Sequence, residues 1–593
     1  MGPGRNQSNG KAKNAKFAWR EFRHSIKPYQ LQIVISVLLA VGSAVLGLFI
    51  PKLLGDMTNI AVNSYPDIDW GAISGKAITV VVLFAVSAAL NYGQAFILAV
   101  ASAKYTRDLR ERIIEKISRL PIAYFDRHKY GDTLSRMTND VDVLTTSLSQ
   151  EIADVTLSLT TLIGVMVMML SISVPLSLVS FVVVPISVIV VGKITSSAQK
   201  YFREQQNTLG VLNSKIEEDY AGLSIIKSNS YEGTATESFD ASNAKLAKAA
   251  TRAQIFSSLS FPMTHVFTNL GYIAICLLGG MFVIEGNLNI GSIQAFIQYV
   301  ARFNRPITEI ASTTATIQAL LAASERIFEF LLEPEETPDA EDSLVLGGDV
   351  RGAVEFRGVD FSYDGKTPVI RDFSVKVEPG MNVAIVGLTG AGKTTVINLL
   401  MRFYGPTAGE ILVDGVPISG MRRSDVRAMF GMVLQDTWLF SGTVEENLRY
   451  GRKDAKLADI REVAKFCNIE HIVEALSHGY KTLISEDSDN ISAGEKQLLT
   501  VARAMVANPP MMILDEATSN VDTRTEQLIQ DSFEKLTRGR TSFVIAHRLS
   551  TIRNADLILV MREGRIVEAG NHASLLKANG FYAELYNSQF AEN

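Results

Sequence analysis

The first half of this chain carries apolar stretches too long for a water-soluble core, which restricts it to a helical domain embedded in a membrane. Residues 31–54, 78–101, 152–174, 176–194, 258–284 and 290–311 each approach or exceed the ~20 residues that span a bilayer. Six spans are expected. The third and fourth are parted only by a tight break at residues 171–175, and the sixth is the most polar.

Charge sets the orientation, because Lys and Arg of short loops gather on the cytoplasmic side. The N-terminal tail holds Arg5, Lys11, Lys13, Lys16, Arg20, Arg23 and Lys27. Lys104, Arg107, Arg110, Arg112, Lys116 and Arg119 follow the second stretch, and Lys200, Arg203, Lys215 and Lys227 follow the fourth. Residues 55–75 hold Asp56, Asp67 and Asp69 with no basic residue, and residues 285–289 hold none either. A multi-pass protein of the cell membrane with both termini in the cytoplasm is therefore expected. The basic N-terminus lacks the pattern of a cleavable signal peptide. Cys276 and Cys467 are too few and too far apart for a disulfide framework.

The segments after the second and fourth stretches have helical periodicity and few turn signals, so they read as cytoplasmic extensions of membrane helices. Residues 331–343 (LLEPEETPDAEDS) suit a solvated linker. The expected division is a cytoplasmic tail and elbow at 1–30, a six-span domain at 31–325, a linker at 326–350 and an α/β nucleotide-binding domain at 351–593.

In that last region residues 387–394 read GLTGAGKT, after the apolar run 383–386 and before the helix-like 396–400. This is a phosphate-binding loop in a strand-loop-helix setting. The backbone of Gly387, Thr389, Gly390, Ala391 and Gly392 can close on phosphate oxygens, with Thr395 just beyond. Lys393 reaches the β- and γ-phosphates, and the Thr394 hydroxyl can ligate Mg²⁺. Further on, residues 511–516 read MMILDE. A buried strand of that kind delivers Asp515 to the Mg²⁺ shell and Glu516 to the water that attacks the γ-phosphate. An apolar run ending in two acids is weak alone, and strong after a phosphate loop.

Between these motifs residues 491–495 read ISAGE, followed by KQLLTVARAM. Here the chain resembles the ATP-binding cassette (ABC) family, whose signature is usually LSGGQ, and the resemblance extends over nearly the whole chain. It implies that Tyr363 stacks on adenine, that Gln435 reaches Mg²⁺ and senses the membrane domain, that Ser519 and Asp522 belong to a D-loop, and that His547 contacts the γ-phosphate. A lone Tyr, Gln or His is ordinarily a packing residue. The order of these around two phosphate motifs favours function. The resemblance also implies two such domains facing head to tail, so that Ser492, Ala493, Gly494 and Glu495 serve the ATP held by the opposite domain.

Ala493 stands where the family usually has Gly, Glu495 where it usually has Gln, and residues 485–490 (SEDSDN) replace a Gly-Glu-x-Gly stretch. A methyl and a carboxylate near a polyanion weaken a site, whereas Lys393, Gln435, Asp515, Glu516 and His547 form a full hydrolytic set. That combination resembles the competent half of a heterodimeric exporter; a homodimer stays open. Residues 124–138 and 217–232 look like the loops that carry coupling helices in the family.

Polar residues inside the spans are costly unless they face a cavity or a partner. Asn91, Gln94, Thr264, His265, Asn269, Gln294, Gln298, Tyr299 and Arg302 are the candidates for a substrate cavity, with interhelical hydrogen bonding the alternative. The expected function is ATP-driven export of amphipathic compounds, multidrug transport foremost, with ATP and Mg²⁺ as cofactors, a second half-transporter as partner, and no nucleic acid. Lipid or peptide export, siderophore uptake and an ATP-gated channel are the rivals.

Overall fold

The computed structural model describes residues 12–347, 349–435, 437–486, 491–515, 523–546 and 549–590. The chain forms two compact units: residues 1–118 with 130–334, and residues 119–129 with 335–593.

The first unit is helical. α1 (Ala15–Ser25), α2 (Gln30–Asn63) and α3 (Trp70–Arg119) lead to short helices α4 (Ile122–Arg127), α5 (Tyr130–Ser135) and α6 (Val141–Thr146), of which α4 belongs to the second unit. α7 (Ile152–Ile172), α8 (Val174–Ala221), α9 (Leu223–Ser228), α10 (Glu232–Ile284) and α11 (Ile290–Leu332) follow. Between α7 and α8 the chain breaks at Ser173 alone, whose backbone is extended and whose hydroxyl accepts the Leu176 amide, with Pro175 in the first turn of α8. Large apolar residues such as Leu31, Val81, Phe84 and Leu277 point outward. In a bilayer that outer face meets lipid, so their exposure costs nothing.

Five helical segments, 27–63, 70–119, 130–172, 174–221 and 232–284, are long and apolar enough to cross a membrane. The sixth expected span is also a helix, α11, but it falls below that apolarity because Gln294, Gln298 and Arg302 interrupt it. It also runs on to Leu332, inside the stretch read as linker, because Ala323, Ile327, Phe328 and Phe330 keep a buried face going. α11 packs on α1, α2 and α7, around a core of Leu48, Val165, Met169, Phe296, Tyr299 and Phe303. At its lower end the Glu325 carboxylate accepts the Lys13 and Asn14 amides at 2.8 and 2.6 Å, which fixes the start of α1. Beside it Arg326 pairs with the buried Asp140, Nε to Oδ2 at 2.8 Å.

A close backbone approach joins α2 and α11 at Gly55 and Gly291. A Cβ on Gly55 would lie 2.2 Å from the Gly291 carbonyl oxygen, and one on Gly291 would lie 1.8 Å from that of Gly55. Helices in lipid gain association from such close backbone packing, and the Gly291 amide donates to Asn59 Oδ1 at 2.7 Å across the same contact.

The second unit contains β1 (Val354–Phe361), β2 (Ile370–Val377), β3 (Asn382–Gly387), β4 (Ala408–Val413), β5 (Val416–Pro417) and β6 (Phe430–Val433). After these come β7 (Gly442–Thr443), β8 (Leu483–Ile484), β9 (Met511–Asp515), β10 (Thr541–Ile545), β11 (Leu557–Arg562) and β12 (Arg565–Gly570). β2-β1-β4-β5 form an antiparallel sheet; β12-β11-β3-β10-β9-β6 form a second sheet, parallel except for β12. The parallel strands are near-continuous runs of buried residues, as expected with helices on both faces.

Gly55→Ala or Gly291→Ala is expected to part α2 from α11, since a backbone oxygen cannot turn aside, and to destabilise the bundle by about 2 kcal/mol. A melting curve in detergent checks this: an unchanged midpoint for both variants would contradict the contact.

Candidate functional site

The carboxyl ends of β3, β10, β9 and β6 lie side by side, so the residues leaving them converge on one edge of the sheet, the usual ligand crevice of an α/β fold. β3 delivers the phosphate loop. Gly390 and Gly392 adopt φ values of +83° and +98°, which side chains other than glycine tolerate poorly. The turn sets the amides of α12 (Lys393–Leu400) toward the crevice, and a helix N-terminus of this kind favours phosphate. Thr389, Gly390 and Thr394 are exposed at the crest, while Ala391, Gly392 and Thr395 are buried beneath it.

Lys393 is buried, and its ammonium donates to the Gly387 and Leu388 carbonyls at 2.8 and 3.1 Å. Burial pulls its pKa below the ordinary lysine value, and the Asp515 carboxylate opposes that shift. Asp515 ends β9, and Gln435 stands exposed two residues beyond β6. Thr394, Asp515 and Gln435 thus offer oxygen donors that include a single carboxylate. That set fits Mg²⁺, which takes one or two protein carboxylates and completes its shell with water and substrate phosphate. Among the described residues there is no group of three or more His, Cys, Asp or Glu that could hold a metal by itself. Glu516, Ser519, Asp522 and His547 lie outside the described residues.

Tyr363 follows β1 in a turn held by Asp364, whose carboxylate accepts the Lys366 and Thr367 amides at 2.8 and 2.7 Å and the Ser362 hydroxyl at 2.8 Å. Those bonds hold its pKa far below the usual carboxylate range. The Tyr363 hydroxyl lies 3.1 Å from Thr395 Oγ1, and its ring meets Phe361 and Tyr404 edge-on at 4.8 and 4.9 Å. Ser492 and Ala493 are exposed at the start of the helix Ala493–Ala507, where Gly494 is buried and Glu495 half-buried.

The structure adds partners for Tyr363 that the sequence reading missed. In α4, Arg127 Nη2 donates to the Tyr363 carbonyl at 2.7 Å, and Asp126 takes the Tyr404 hydroxyl. Burial and the Asp126 carboxylate together push the Tyr404 phenol above its ordinary range. The segment 119–129, continuous with α3 and α5 of the helical unit, thereby grips the aromatic group proposed to meet adenine. Arg127 and Tyr363 are 236 positions apart in sequence, so periodicity and local motifs carry no trace of the contact. The Asp364 turn was within reach, since Asp-Gly after an apolar run is a turn signal.

The polar candidates in the helices divide. Tyr299 is fully buried with its hydroxyl donating to the Leu48 carbonyl at 2.6 Å, and Gln94 is also buried, so neither faces an open surface in this conformation. Gln294 takes the Thr58 hydroxyl, an interhelical bond. Asn91, His265 and Asn269 are exposed, Thr264 and Gln298 half-buried, and Arg302 is exposed with one donor on the Gly47 carbonyl at 2.8 Å.

Fold and site define an ATPase joined in one chain to a membrane-embedded helical domain. The family model described as the ABC transporter transmembrane region matches residues 33–307, and that described as ABC transporter matches residues 370–519. A protein of Mycobacterium bovis named fatty acid ABC transporter ATP-binding/permease protein is 45% identical over 87% of this chain and 82% of its own length. An uncharacterized ABC transporter ATP-binding protein of Bacillus subtilis is 37% identical over 98% of this chain and 96% of its own. An ATP-dependent lipid A-core flippase of Syntrophus aciditrophicus is 33% identical over 87% and 86%. The chain belongs to the ABC transporter family, as a multi-pass membrane protein of the exporter half-transporter type whose ATPase is coupled to transport.

Arg127→Ala is expected to raise the ATP concentration for half-maximal hydrolysis about threefold to tenfold, the scale of one charge-assisted hydrogen bond, with the maximal rate little changed. Steady-state kinetics in lipid decide it: a fall in maximal rate at constant half-saturation would show that the contact does not act through nucleotide binding.

Proposed function

We propose that this chain is one half of an ATP-driven exporter of amphipathic compounds from the cytoplasm, with fatty acids and acyl lipids ahead of drug-like amphiphiles. The carrying observation is a single chain with one transmembrane region and one ATPase domain, 45% identical over 87% of its length to a protein named a fatty acid transporter. The basic segments beside the helices support cytoplasmic termini.

ATP binds with adenine on Tyr363 and phosphates on the 387–395 loop. Lys393 brings positive charge to the β- and γ-phosphates; Thr394, Gln435 and Asp515 are the residues that would hold Mg²⁺, which when bound would supply charge neutralisation there. Glu516 takes a proton from the attacking water, and His547 steadies the γ-phosphate. The signature residues Ser492 to Glu495 face the ATP of a second subunit, so the working unit is a dimer. The full hydrolytic set beside an altered signature favours a heterodimer in which this chain holds the faster site. Partner docking is also supported by α9, where no residue is buried and Leu223 and Ile225 are exposed, flanked by exposed Tyr220 and Tyr231.

Arg302 deepens the case for an acyl substrate. It lies twelve residues into α11, roughly 18 Å from the helix start at 1.5 Å per residue, a depth at which an exposed cation is costly unless a cavity or an anion meets it. No carboxylate pairs with it among the described residues. A free fatty acid would supply that anion and an apolar tail for the surrounding helices.

In lipid, long-chain fatty acids are expected to stimulate ATP hydrolysis by the dimer and their methyl esters much less, with Arg302→Gln removing the difference. Equal stimulation by acid and ester in the wild type would defeat the carboxylate reading. Native mass spectrometry of the same samples gives the oligomeric state: a chain that is monomeric and active would defeat the dimer.

A further inference from the structure

The helix Ala493–Ala507 opens with a closed reciprocal cap. Ser492 N and Ser492 Oγ each donate to Glu495 Oε2 at 2.8 Å, and Glu495 N donates back to Ser492 Oγ at 3.3 Å. Lys496, the next residue, turns its ammonium elsewhere, donating to the Glu486 carbonyl and lying 3.8 Å from the Glu486 carboxylate. That carboxylate also accepts the Leu439 amide at 3.0 Å, which keeps Lys496 committed to it. Among the described residues no cation pairs with Glu495, so its charge is met by the cap and by the positive end of its own helix.

We infer that Glu495 is an internal competitor of the γ-phosphate that this signature receives from the opposite subunit. The inference rests on the reading above, that the signature serves the partner's ATP. A hydroxyl has one proton to give. While Ser492 donates it to Glu495, it has none for a phosphate oxygen, and a bond to an ionised acceptor is roughly twice as strong as one to a neutral acceptor. The helix end is an anion site, and Glu495 brings the first anion to it. A glutamine there would close the same cap through a neutral amide oxygen, release the hydroxyl more readily and leave the helix end to the phosphate. Glu495 therefore sets how readily the partner's ATP closes the dimer, without touching the phosphate loop of its own subunit.

The test is a double-mutant cycle on the full chain, in the dimer it forms in lipid, alone or with a co-expressed half-transporter. The ATP concentration for half-maximal hydrolysis is measured for wild type, Glu495→Gln, Ser492→Ala and the double variant. Glu495→Gln is expected to lower it by about fivefold to tenfold, a gain that shrinks at high salt as an electrostatic effect must. Ser492→Ala is expected to cost less in the wild type than in the Gln background, where it reverses much of the gain. Any folding loss from Ser492→Ala is common to both backgrounds and cancels from the comparison. If Ser492→Ala is costly to the same degree in both backgrounds, or is costly while Glu495→Gln shifts nothing, the signature serves ATP but Glu495 does not compete, and the inference is overturned. If all three variants match the wild type, the signature does not meet ATP, and the dimeric site of the proposed function falls with it.

Discussion

A bilayer core offers no hydrogen-bond partner to a peptide group, and that constraint shapes everything else in this protein. It forces the first unit into helices long enough to satisfy their own backbone, of which α3, α8 and α10 run to 50, 48 and 53 residues. Between such helices water gives no hydrophobic drive, so association rests on close backbone approach, as at Gly55 and Gly291. ATP chemistry needs water, charge and a phosphate cradle, so it occupies a separate unit. Residues 119–129 are continuous in sequence with membrane helices on either side and packed with the nucleotide-binding fold.

Where that segment docks gives the coupling a chemical meaning. α4 holds the Tyr363 backbone through Arg127 and the neighbouring Tyr404 ring through Asp126. A shift of α4 therefore changes the proposed adenine platform, and a purine seated there would resist that shift, as reciprocity of binding free energies demands. Lys393 stands at the other end of the proposed nucleotide site, buried against two carbonyls, where desolvation makes its charge more valuable to a phosphate than it would be in water.

Much of this was legible in the sequence. GLTGAGKT and MMILDE carry their chemistry in consecutive residues, and the parallel sheet places Gly387 and Asp515 on one edge as their strand-ending positions imply. The apolar stretches announced their helices, including the break at Ser173, because a proline near a helix start is a local signal. What stayed hidden depends on distant partners. Gln94 and Tyr299 are polar residues at apolar positions, and nothing in the sequence says that the Tyr299 hydroxyl ends on the Leu48 carbonyl. The extension of α11 to Leu332 was masked by the acidic, proline-containing stretch beyond it. Asp126 and Tyr404 are 278 residues apart, and only the fold brings them together.

ATP hydrolysis at the 387–395 loop is proposed to drive an amphipathic molecule across the membrane. The most direct measurement is uptake of a labelled long-chain fatty acid into inside-out proteoliposomes containing the working dimer, with wild type and Glu516→Gln compared with and without ATP. ATP-dependent accumulation is expected in the wild type, and none beyond a single binding turnover in the variant. Hydrolysis without accumulation of any amphiphile tried, or accumulation that persists without ATP, would contradict it.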